Sequence, residues 1–273
     1  MATLGQIIFA SMITLIVMFS AIIILTLALV FSGSSSDVTS TNTAPVANLG
    51  KDELLICYLQ TETGRTTVSQ VSVTWTKKDL EGLVYRYDDG APDLGEQNSQ
   101  FRGRTEISSD ALLSGNASLL IRSVRSGDEG EYTCSISSSD GGGKVNIRLR
   151  TAAFSAPTFN FSNGVLTAEA SRWFPKPNVT WLNSDGGVLQ GRTNFSPDSG
   201  GIYSVVSKLQ PVNISSSYTC RIENDLVLSV SKATVTGSGV SKNTYFIYSA
   251  ASSLLASAYL SIITSVLCIC YLT

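Results

Sequence analysis

The sequence predicts an all-β protein made of two tandem β-sandwich domains, with an apolar helix before the first domain and another after the second. Two observations predict this class. A Tyr-x-Cys motif preceded by a Trp occurs twice, with the motif at Tyr132 and again at Tyr218, amid short runs of alternating apolar and polar residues. Charged residues are also absent from Met1 to Ser36 and after Lys242, which separates the two ends from the domains between them.

The first sandwich is predicted from the segment 128–134, which has the pattern D-x-G-x-Y-x-C. In immunoglobulin-type sandwiches a Tyr two residues before the second Cys forms a tyrosine corner, and that Cys bonds across the core beside a buried Trp. Cys57 and Trp75 supply the partner and the Trp, since Trp75 follows Cys57 by 18 residues and precedes Cys134 by 59. The spacing predicts a Cys57–Cys134 disulfide, and Tyr132 as the corner.

Residues 37–151 are predicted to be a variable-type domain, because extra strands fit between Trp75 and Arg104. Arg104 stands where it can pair with Asp128 across the bottom of the domain; the alternative is two solvated surface charges, worth about 0–1 kcal/mol. Closing the long loop between the two cysteines stabilises the fold by around 4 kcal/mol in the chain-entropy model. Period-two patterning predicts strands near residues 53–59, 70–77, 83–87, 104–108, 118–124, 131–137 and 144–151.

Residues 152–237 predict a second, constant-type sandwich with Trp181 on strand C and Tyr218 and Cys220 on strand F. Ala168 occupies the position of the first Cys, so Cys220 has no partner within its own domain. Two interpretations stay open: a buried thiol packed against Trp181, or an intermolecular disulfide. Because losing a native bridge costs about 2–5 kcal/mol, we expect this domain to unfold before the first.

The two ends of the chain predict export and membrane attachment. Residues 7–31 form an apolar run of 25 residues, and we assign residues 1–33 to a signal peptide, with an uncleaved anchor as the alternative. Residues 238–244 are predicted to be a linker. Residues 245–273 carry no charge and predict either a transmembrane segment or a signal for a glycolipid (GPI) anchor, attached near residues 237–239. Both place the protein on the external side of the plasma membrane, single-pass type I or GPI-anchored, in contact with membrane lipid.

Five N-glycosylation sequons lie inside the two predicted domains, which supports a glycosylated ectodomain. The site at Asn194 is the weakest, since Pro197 follows its Ser. The acceptor residues are Asn116, Asn160, Asn178, Asn194 and Asn213.

Composition argues against several functional classes. The net charge is −2 and the pI about 5.2, so no basic surface for nucleic acid is indicated. Histidine is absent and no catalytic constellation is found, so we predict no enzyme activity, no cofactor, no metal and no small-molecule substrate. A signalling receptor would need a tail with tyrosine motifs or an intramembrane charge for an adaptor, and the sequence shows neither. These features of the sequence fit both a cell-surface ligand and an adhesion molecule.

Five short motifs are distinctive in combination, at residues 1–7, 101–105, 115–119, 172–175 and 222–225. Together they resemble the butyrophilin-like T-cell co-signalling ligands of antigen-presenting cells, within the immunoglobulin superfamily. The resemblance implies an inhibitory ligand that binds a T-cell surface receptor and restrains T-cell proliferation and cytokine production. Ala168 departs from the family pattern, which has a Cys there.

The resemblance also implies where a receptor binds, because ligands of this family use the front sheet of the variable-type domain, formed by strands G, F, C, C′ and C″. An exposed aromatic beside an Arg is typical of interface hot spots. Strand alternation allows at most one of the two tyrosines of strand C′ to face outward. The candidate receptor-binding residues are Tyr85, Arg86, Tyr87, Asp140 and Lys144.

Overall fold

The computed structural model of the protein describes residues 4–31, 38–60, 71–138, 141–237 and 239–249. The predicted N-terminal helix is present as α1, Leu4–Phe31, with no acidic residue in its first turn and no basic residue in its last. Its side chains are described at Gly5, Phe9 and residues 11–26, and within the fully described part of the chain no helix is long and apolar enough to cross a membrane. Most of the predicted C-terminal apolar helix, residues 250–273, lies outside the described residues, as does Asp140.

The first domain is an antiparallel sandwich of the predicted variable type. Its front sheet has the strand order β2-β11-β10-β5-β6-β7, its back sheet the order β3-β9-β8, and β1 pairs with β4. The pairing of β2 with β11 is parallel, as is the isolated bridge between Leu83 and Gln97. The strands are β1 Val38–Thr39, β2 Val46–Asn48, β3 Glu53–Leu55, β4 Tyr58–Leu59, β5 Val71–Lys77, β6 Tyr85–Asp88, β7 Ala91–Pro92, β8 Thr105–Glu106, β9 Leu119–Ile121, β10 Gly130–Ser138 and β11 Gly141–Ala152.

Alternation decides which side chains form the core of this domain. Along β5, Val71, Val73 and Trp75 are buried while the residues between them are half-buried, as expected for a strand with one face on the core. Short helical turns close the lower end of the sandwich at Ser99–Phe101 and Ser126–Asp128. A one-turn helix, α2, spans Ser109–Leu112, and Ser108 caps it by accepting a hydrogen bond from the Ala111 N–H at 3.3 Å.

The second domain is also a two-sheet sandwich, with strand orders β12-β13-β17-β16 and β15-β14-β18-β19-β20. Its core surrounds Trp173, Trp181 and Cys220, all 0–1% exposed. Val46, at the start of β2 in the first domain, belongs to this second core, so the two cores meet at the domain junction. The strands are β12 Thr158–Ser162, β13 Val165–Trp173, β14 Asn178–Leu182, β15 Val188–Leu189, β16 Gly191–Pro197, β17 Tyr203–Leu209, β18 Ser217–Glu223, β19 Val227–Thr236 and β20 Gly239–Tyr248.

Strand β20 differs from the sequence prediction, which placed a linker at residues 238–244 and the start of the apolar segment at Tyr245. The structure instead pairs all ten residues of β20 with β19, from Thr236↔Gly239 to Val227↔Tyr248. The physical reason is alternation: Val240 and Phe246 pack on the second core from one face of the strand. The prediction missed this because the same stretch has small and uncharged residues, which also suit a linker and a membrane segment.

Specific contacts join the two domains. The Asn48 side chain donates to the Phe154 carbonyl at 2.9 Å and accepts from the Phe154 N–H at 3.3 Å. Arg172, from β13, donates to the Leu49 carbonyl of the first domain at 2.7 Å. Backbone groups at the junction are therefore hydrogen-bonded by side chains of the neighbouring domain.

Candidate functional site: the front sheet of the first domain

The front sheet is held in place by the predicted cross-sheet bridge. Cys57 and Cys134 form a disulfide with a Cα–Cα distance of 6.6 Å, as predicted. Trp75 packs beside it, fully buried, and its indole N–H donates to the Ala117 carbonyl at 3.0 Å. The Tyr132 hydroxyl donates to the Asp128 carbonyl at 2.6 Å, which is the geometry of a tyrosine corner. Strands β5 and β10 are thus fixed at the centre of the sheet.

The predicted pairing of Arg104 with Asp128 is present and buried. The guanidinium donates to both carboxylate oxygens, at 2.6 and 2.9 Å, and Asp128 is 0% exposed. Burial opposes ionisation of Asp128, but hydrogen bonds from Arg104, the Arg125 N–H and Gln100 outweigh it and hold the pKa of Asp128 below its ordinary value. Arg104 and Asp128 therefore form a buried, bidentate ion pair that joins two loops. This excludes the alternative of two solvated surface charges.

The second domain has the predicted unpaired thiol. Cys220 is free and 0% exposed, and burial raises its pKa to about 12, so the thiol is protonated at neutral pH. Ala168 is 1% exposed and belongs to the same core. A thiol so placed cannot reach another molecule while the domain is folded, which favours the buried interpretation over an intermolecular disulfide. Trp181 donates to the Ser207 hydroxyl at 2.8 Å, and the Tyr218 hydroxyl accepts from the Asn213 N–H at 3.0 Å.

The side chains that a receptor can reach on the front sheet follow from strand register. Trp75 and Cys134 face the core, so their neighbours along β5 and β10 face outward. One row crosses four strands: Lys144 lies opposite Ser135, Ser135 opposite Thr74, and Thr74 opposite Arg86. We call the outward side chains in the middle of β5, β6, β10 and β11 the front face; it consists of Ser72, Thr74, Thr76, Arg86, Thr133, Ser135, Ser137, Lys144 and Asn146. Toward the strand ends the same side continues with the exposed charged residues Asp88, Glu131 and Arg148, and Glu131 lies opposite Arg148.

Two of the predicted receptor contacts face the core rather than the front face. Tyr85 lies opposite Trp75 and is only 4% exposed, and Tyr87 lies opposite Val73 and packs against the core. The Tyr87 hydroxyl donates to the Gly90 carbonyl at 2.8 Å, which satisfies its polar end. Both tyrosines therefore face inward, because residues two apart on a strand share a face, and neither of them takes the outward position that the prediction allowed for one.

Arg86 and Lys144 do belong to the front face, whereas Asp140 lies outside the described residues. Arg86 is held between two acidic side chains, with 3.4 Å to Asp93 and 3.5 Å to Glu96. Lys144 is exposed at the other end of the same row. With neighbouring strands about 4.8 Å apart, the two basic residues stand on strands roughly 14 Å apart.

The front face is polar throughout its described part. It presents six serine and threonine hydroxyls and one amide but no large apolar side chain, and Thr133 donates to Asn146 at 2.9 Å across the β10–β11 pair. Such a surface binds a partner through hydrogen bonds and water rather than through an apolar core patch. Because Arg86 is already paired with Asp93 and Glu96, the exposed Lys144 is the basic residue of this face that favours an acidic partner group.

The hairpin at the upper end of the front face depends on glycine. A Cβ atom on Gly142 would lie 2.5 Å from the Ile136 carbonyl oxygen, a distance that no side chain tolerates. The backbone of β11 therefore lies so close to β10 at this point that only glycine fits at position 142.

Sequence reasoning missed the hydroxyl-bearing residues of this face. Counting alternately from the inward Trp75 identifies Thr74 and Thr76, and counting from Cys134 identifies Thr133 and Ser135. Counting from Trp75 or Cys134 does not show which way Tyr85 and Tyr87 face, because their orientation depends on how β6 pairs with β5.

The predicted glycosylation sites differ in exposure. Asn160, Asn178, Asn194 and Asn213, all in the second domain, are exposed. Asn116 is half-buried, its side-chain oxygen accepts from the Ser118 N–H at 3.0 Å, and the Ser118 hydroxyl in turn accepts from the Cys57 N–H at 3.1 Å. The Ser of that sequon thus has a structural role in the first domain, and glycosylation at all five sites stays a prediction.

Comparison with known proteins identifies the family. The immunoglobulin V-set domain model matches residues 40–151. Human V-set domain-containing T-cell activation inhibitor 1 is 35% identical over 275 residues, 96% of this chain and 95% of its own length. The chain belongs to the V-set domain-containing T-cell activation inhibitor family. The rat member is 36% identical over 254 residues, 89% of this chain and 88% of its own length.

One solved structure matches part of the chain. The crystal structure of the human B7-H4 IgV-like domain is 35% identical, covers 42% of this chain and 97% of its own, and superposes with a TM-score of 0.39. Within the described residues of this inhibitor-family chain, no group of three or more acidic, Cys or His side chains is arranged to hold a metal ion. The resemblance predicted from the motifs is confirmed by the human and rat relatives, and human butyrophilin-like protein 2 is 28% identical over 65% of this chain and 38% of its own length.

Proposed function

We propose that this chain is a cell-surface ligand that inhibits T-cell activation, and that it binds a receptor on the T cell through the front face. The observation that carries the proposal is the near full-length similarity to proteins named as T-cell activation inhibitors. The front face supports it, since its side chains are held by the disulfide-bridged core and are accessible without rearrangement.

We also propose that the uncharged residues after Ser249 attach the ligand to the membrane as a transmembrane segment. A glycolipid attached near residues 237–239 would require removal of β20, which pairs along its whole length with β19. Phe246 of β20 packs on Phe154 with 5.2 Å between ring centroids, so its loss would uncover part of the second core. The strand therefore supports a membrane span over a glycolipid anchor.

The test displays the full chain on antigen-presenting cells and measures proliferation and cytokine release of stimulated T cells of the same species. We expect suppression relative to cells that carry an empty vector. Unchanged proliferation with folded protein on the surface would overturn the inhibitory function, and aggregation of the displaying cells would then indicate adhesion.

The front face is tested by reversing its charges. Arg86→Glu with Lys144→Glu should abolish suppression and receptor-dependent binding to T cells, because both residues lie on the proposed contact surface. Arg192→Glu with Lys208→Glu is the matched control, since these two exposed residues lie opposite each other on the outer face of the second domain. Equal loss in both double variants, or in neither, would overturn the front face as the binding surface.

A further inference from the structure

We propose that Asn116 carries an N-linked glycan whose first sugar, an N-acetylglucosamine, is seated in a groove on the back sheet of the first domain and forms part of that domain's packing. The inference goes beyond the predicted sequon, because it gives this glycan a structural role that sets it apart from the other four. It depends on neither the receptor nor the membrane span proposed above, and its failure would leave both standing.

The groove lies on the outer face of the back sheet and has a volume of about 240 Å³. Strand register places Leu54 opposite Leu120 and Leu120 opposite Glu106, so these side chains form one row across β3, β9 and β8. Leu54 is 47% exposed and Leu120 is half-buried, and Ala111 of α2 forms another part of the lining. Two leucines therefore keep part of their apolar surface in water, and covering that surface would stabilise the domain.

The sequon itself forms part of the lining. Asn116 and Ser118 border the groove, and with Leu120 they are alternate residues of one segment, so they share a face. The hydrogen bond from the Ser118 N–H to the Asn116 side-chain oxygen fixes the plane of the amide. The amide nitrogen, which is the atom that bears an N-linked sugar, donates to no residue in the described ranges. A sugar on this nitrogen therefore starts at the groove wall rather than in open solvent.

Burial of the sequon sets when the sugar is attached. In the transfer, the Asn116 nitrogen loses a proton and bonds to C1 of the sugar, and the pyrophosphate of the lipid-linked oligosaccharide donor leaves. The transferring enzyme recognises the Ser hydroxyl of the sequon. In the folded domain Ser118 is only 7% exposed and its hydroxyl accepts from the Cys57 N–H. The sugar must therefore be attached before the domain folds, and the back sheet then forms with the sugar in place.

The groove has the size of one sugar. Its 240 Å³ correspond to about eight water molecules at about 30 Å³ each, which is room for one pyranose ring with its acetamido group but not for a branched glycan. The C–H bonds on the face of the ring pack on the leucines, while its hydroxyls stay hydrated. Glu106 and Ser108 are exposed at the rim, where their oxygens are acceptors for the acetamido N–H and the sugar hydroxyls.

The covalent bond at the wall decides what fills the groove. A sugar bonded to Asn116 is held beside the groove at a high effective concentration, which an occupant from solution has to overcome. A second copy of the chain would need about 800 Å² of contact per partner, far more than this groove offers. The other four acceptors, Asn160, Asn178, Asn194 and Asn213, are exposed, so their sugars begin in solvent.

The seated sugar would also give the first domain one covered face and one open face. The outer sugars of the Asn116 glycan extend over the back sheet. None of the five acceptor asparagines belongs to the front face defined above, so the proposed receptor surface carries no N-linked glycan of its own.

The first experiment measures how fast an amidase (peptide N-glycosidase) removes each glycan from the folded protein. The full chain is produced in exporting cells, purified in mild detergent and treated in heavy-oxygen water, so that each released site becomes a mass-labelled aspartate. Release at Asn116 should be about tenfold slower than at Asn160 and Asn178, because the amidase acts only on the open population, and equal after unfolding. Equal rates in the folded protein, or an Asn116 without glycan, would overturn the inference.

The second experiment separates seating of the sugar from burial of the asparagine. Leu54→Ala removes part of the groove floor and should bring release at Asn116 close to the rate of the exposed sites. Leu113→Ala is the matched control, since this leucine is 63% exposed in the same domain and does not line the groove. Slow release that persists in Leu54→Ala, equal acceleration in both variants, or wild-type dimers that only Leu54→Ala loses would each overturn the seating of the sugar.

The third experiment measures stability by calorimetry of the full chain. Trimming every glycan to its first sugar should leave the midpoint of the first domain's transition unchanged. Asn116→Asp keeps the acceptor for the Ser118 N–H but takes no sugar, and should lower that midpoint by about 4 °C. Asn194→Asp is the control and should leave it in place. A loss on trimming, or the same loss from Asn116→Asp in chain made without glycosylation, would contradict the structural role of the first sugar.

Discussion

The two domains share one architecture but differ in what ties their sheets together. The first has a cross-sheet disulfide beside a buried Trp, whereas the second has Ala168 and a protonated Cys220 near the corresponding Trp181. The second domain nevertheless keeps its full set of paired strands. The comparison teaches that strand patterning and core packing determine this fold, while the bridge adds stability to a fold already specified.

The largest expected effect comes from removing the bridge. Cys57→Ala with Cys134→Ala should destabilise the first domain by about 4 kcal/mol, because the long loop is no longer closed in the unfolded state. The second domain should then cease to be the first to unfold. Differential scanning calorimetry of the full chain measures both transitions. Cys220→Ala is the control, and an equal loss of stability from that substitution would contradict the comparison.

The next effect concerns the buried ion pair of the first domain. Arg104→Ala should cost about 3 kcal/mol, since Asp128 then stays buried without its charged partner. Denaturant unfolding measures the change. Arg122→Ala is the control, because its pairing with Glu106 at 2.6 Å is exposed and contributes little. Similar effects of the two substitutions would show that burial of the Arg104 pair does not matter.

Restoring the missing cysteine would sharpen the comparison. Ala168→Cys should form a bridge with Cys220 and stabilise the second domain by about 2 kcal/mol, less than the loop estimate because engineered bridges introduce strain. Thiol titration on a Cys268→Ser, Cys270→Ser background checks the bond, and calorimetry checks the stability. Ala170→Cys, also buried on β13, should leave Cys220 free. A bridge in both variants would mean that the strand position is not specific.

The smallest effect is a difference in acid sensitivity. The pKa of Asp128 is lowered in the folded state, so the unfolded state binds the proton first and stability is lost as pH falls. The loss should begin near pH 5, above the ordinary Asp pKa of about 3.9, and continue down through the folded pKa. The midpoint of the first domain's transition between pH 7 and 3 measures it. Asp128→Asn should flatten this dependence, and an unchanged slope would contradict the assignment.

Most of what could be predicted from the sequence came from the spacing between residues along the chain. Cys57, Trp75, Tyr132 and Cys134 are far apart in the chain, yet their separations are fixed by strand and loop lengths, so the first domain and its bridge were predictable. The absence of a partner for Cys220 followed from the same spacing applied to the second domain.

The features that escaped prediction depend on pairing between strands. Tyr85 faces inward because β6 aligns it with Trp75, and a single-residue shift of that register would have exposed it. Strand β20 was not predicted because its residues are compatible with a linker, a membrane segment or a strand. Its pairing with β19 decides among the three.

Arg150, on β11, donates to the Ser249 hydroxyl at 3.1 Å, and this contact at the end of β20 has a mechanical consequence. Tension applied to the chain beyond Ser249 would load this contact first and would then open the β19–β20 ladder from Tyr248, one residue pair after another. Strands opened from one end separate at low force, because few hydrogen bonds resist at any moment. Peeling β20 would free ten residues, about 33 Å of extended chain, while β19 keeps its pairing with β18. The last strand would thus act as a reserve of length between two cells that pull on each other.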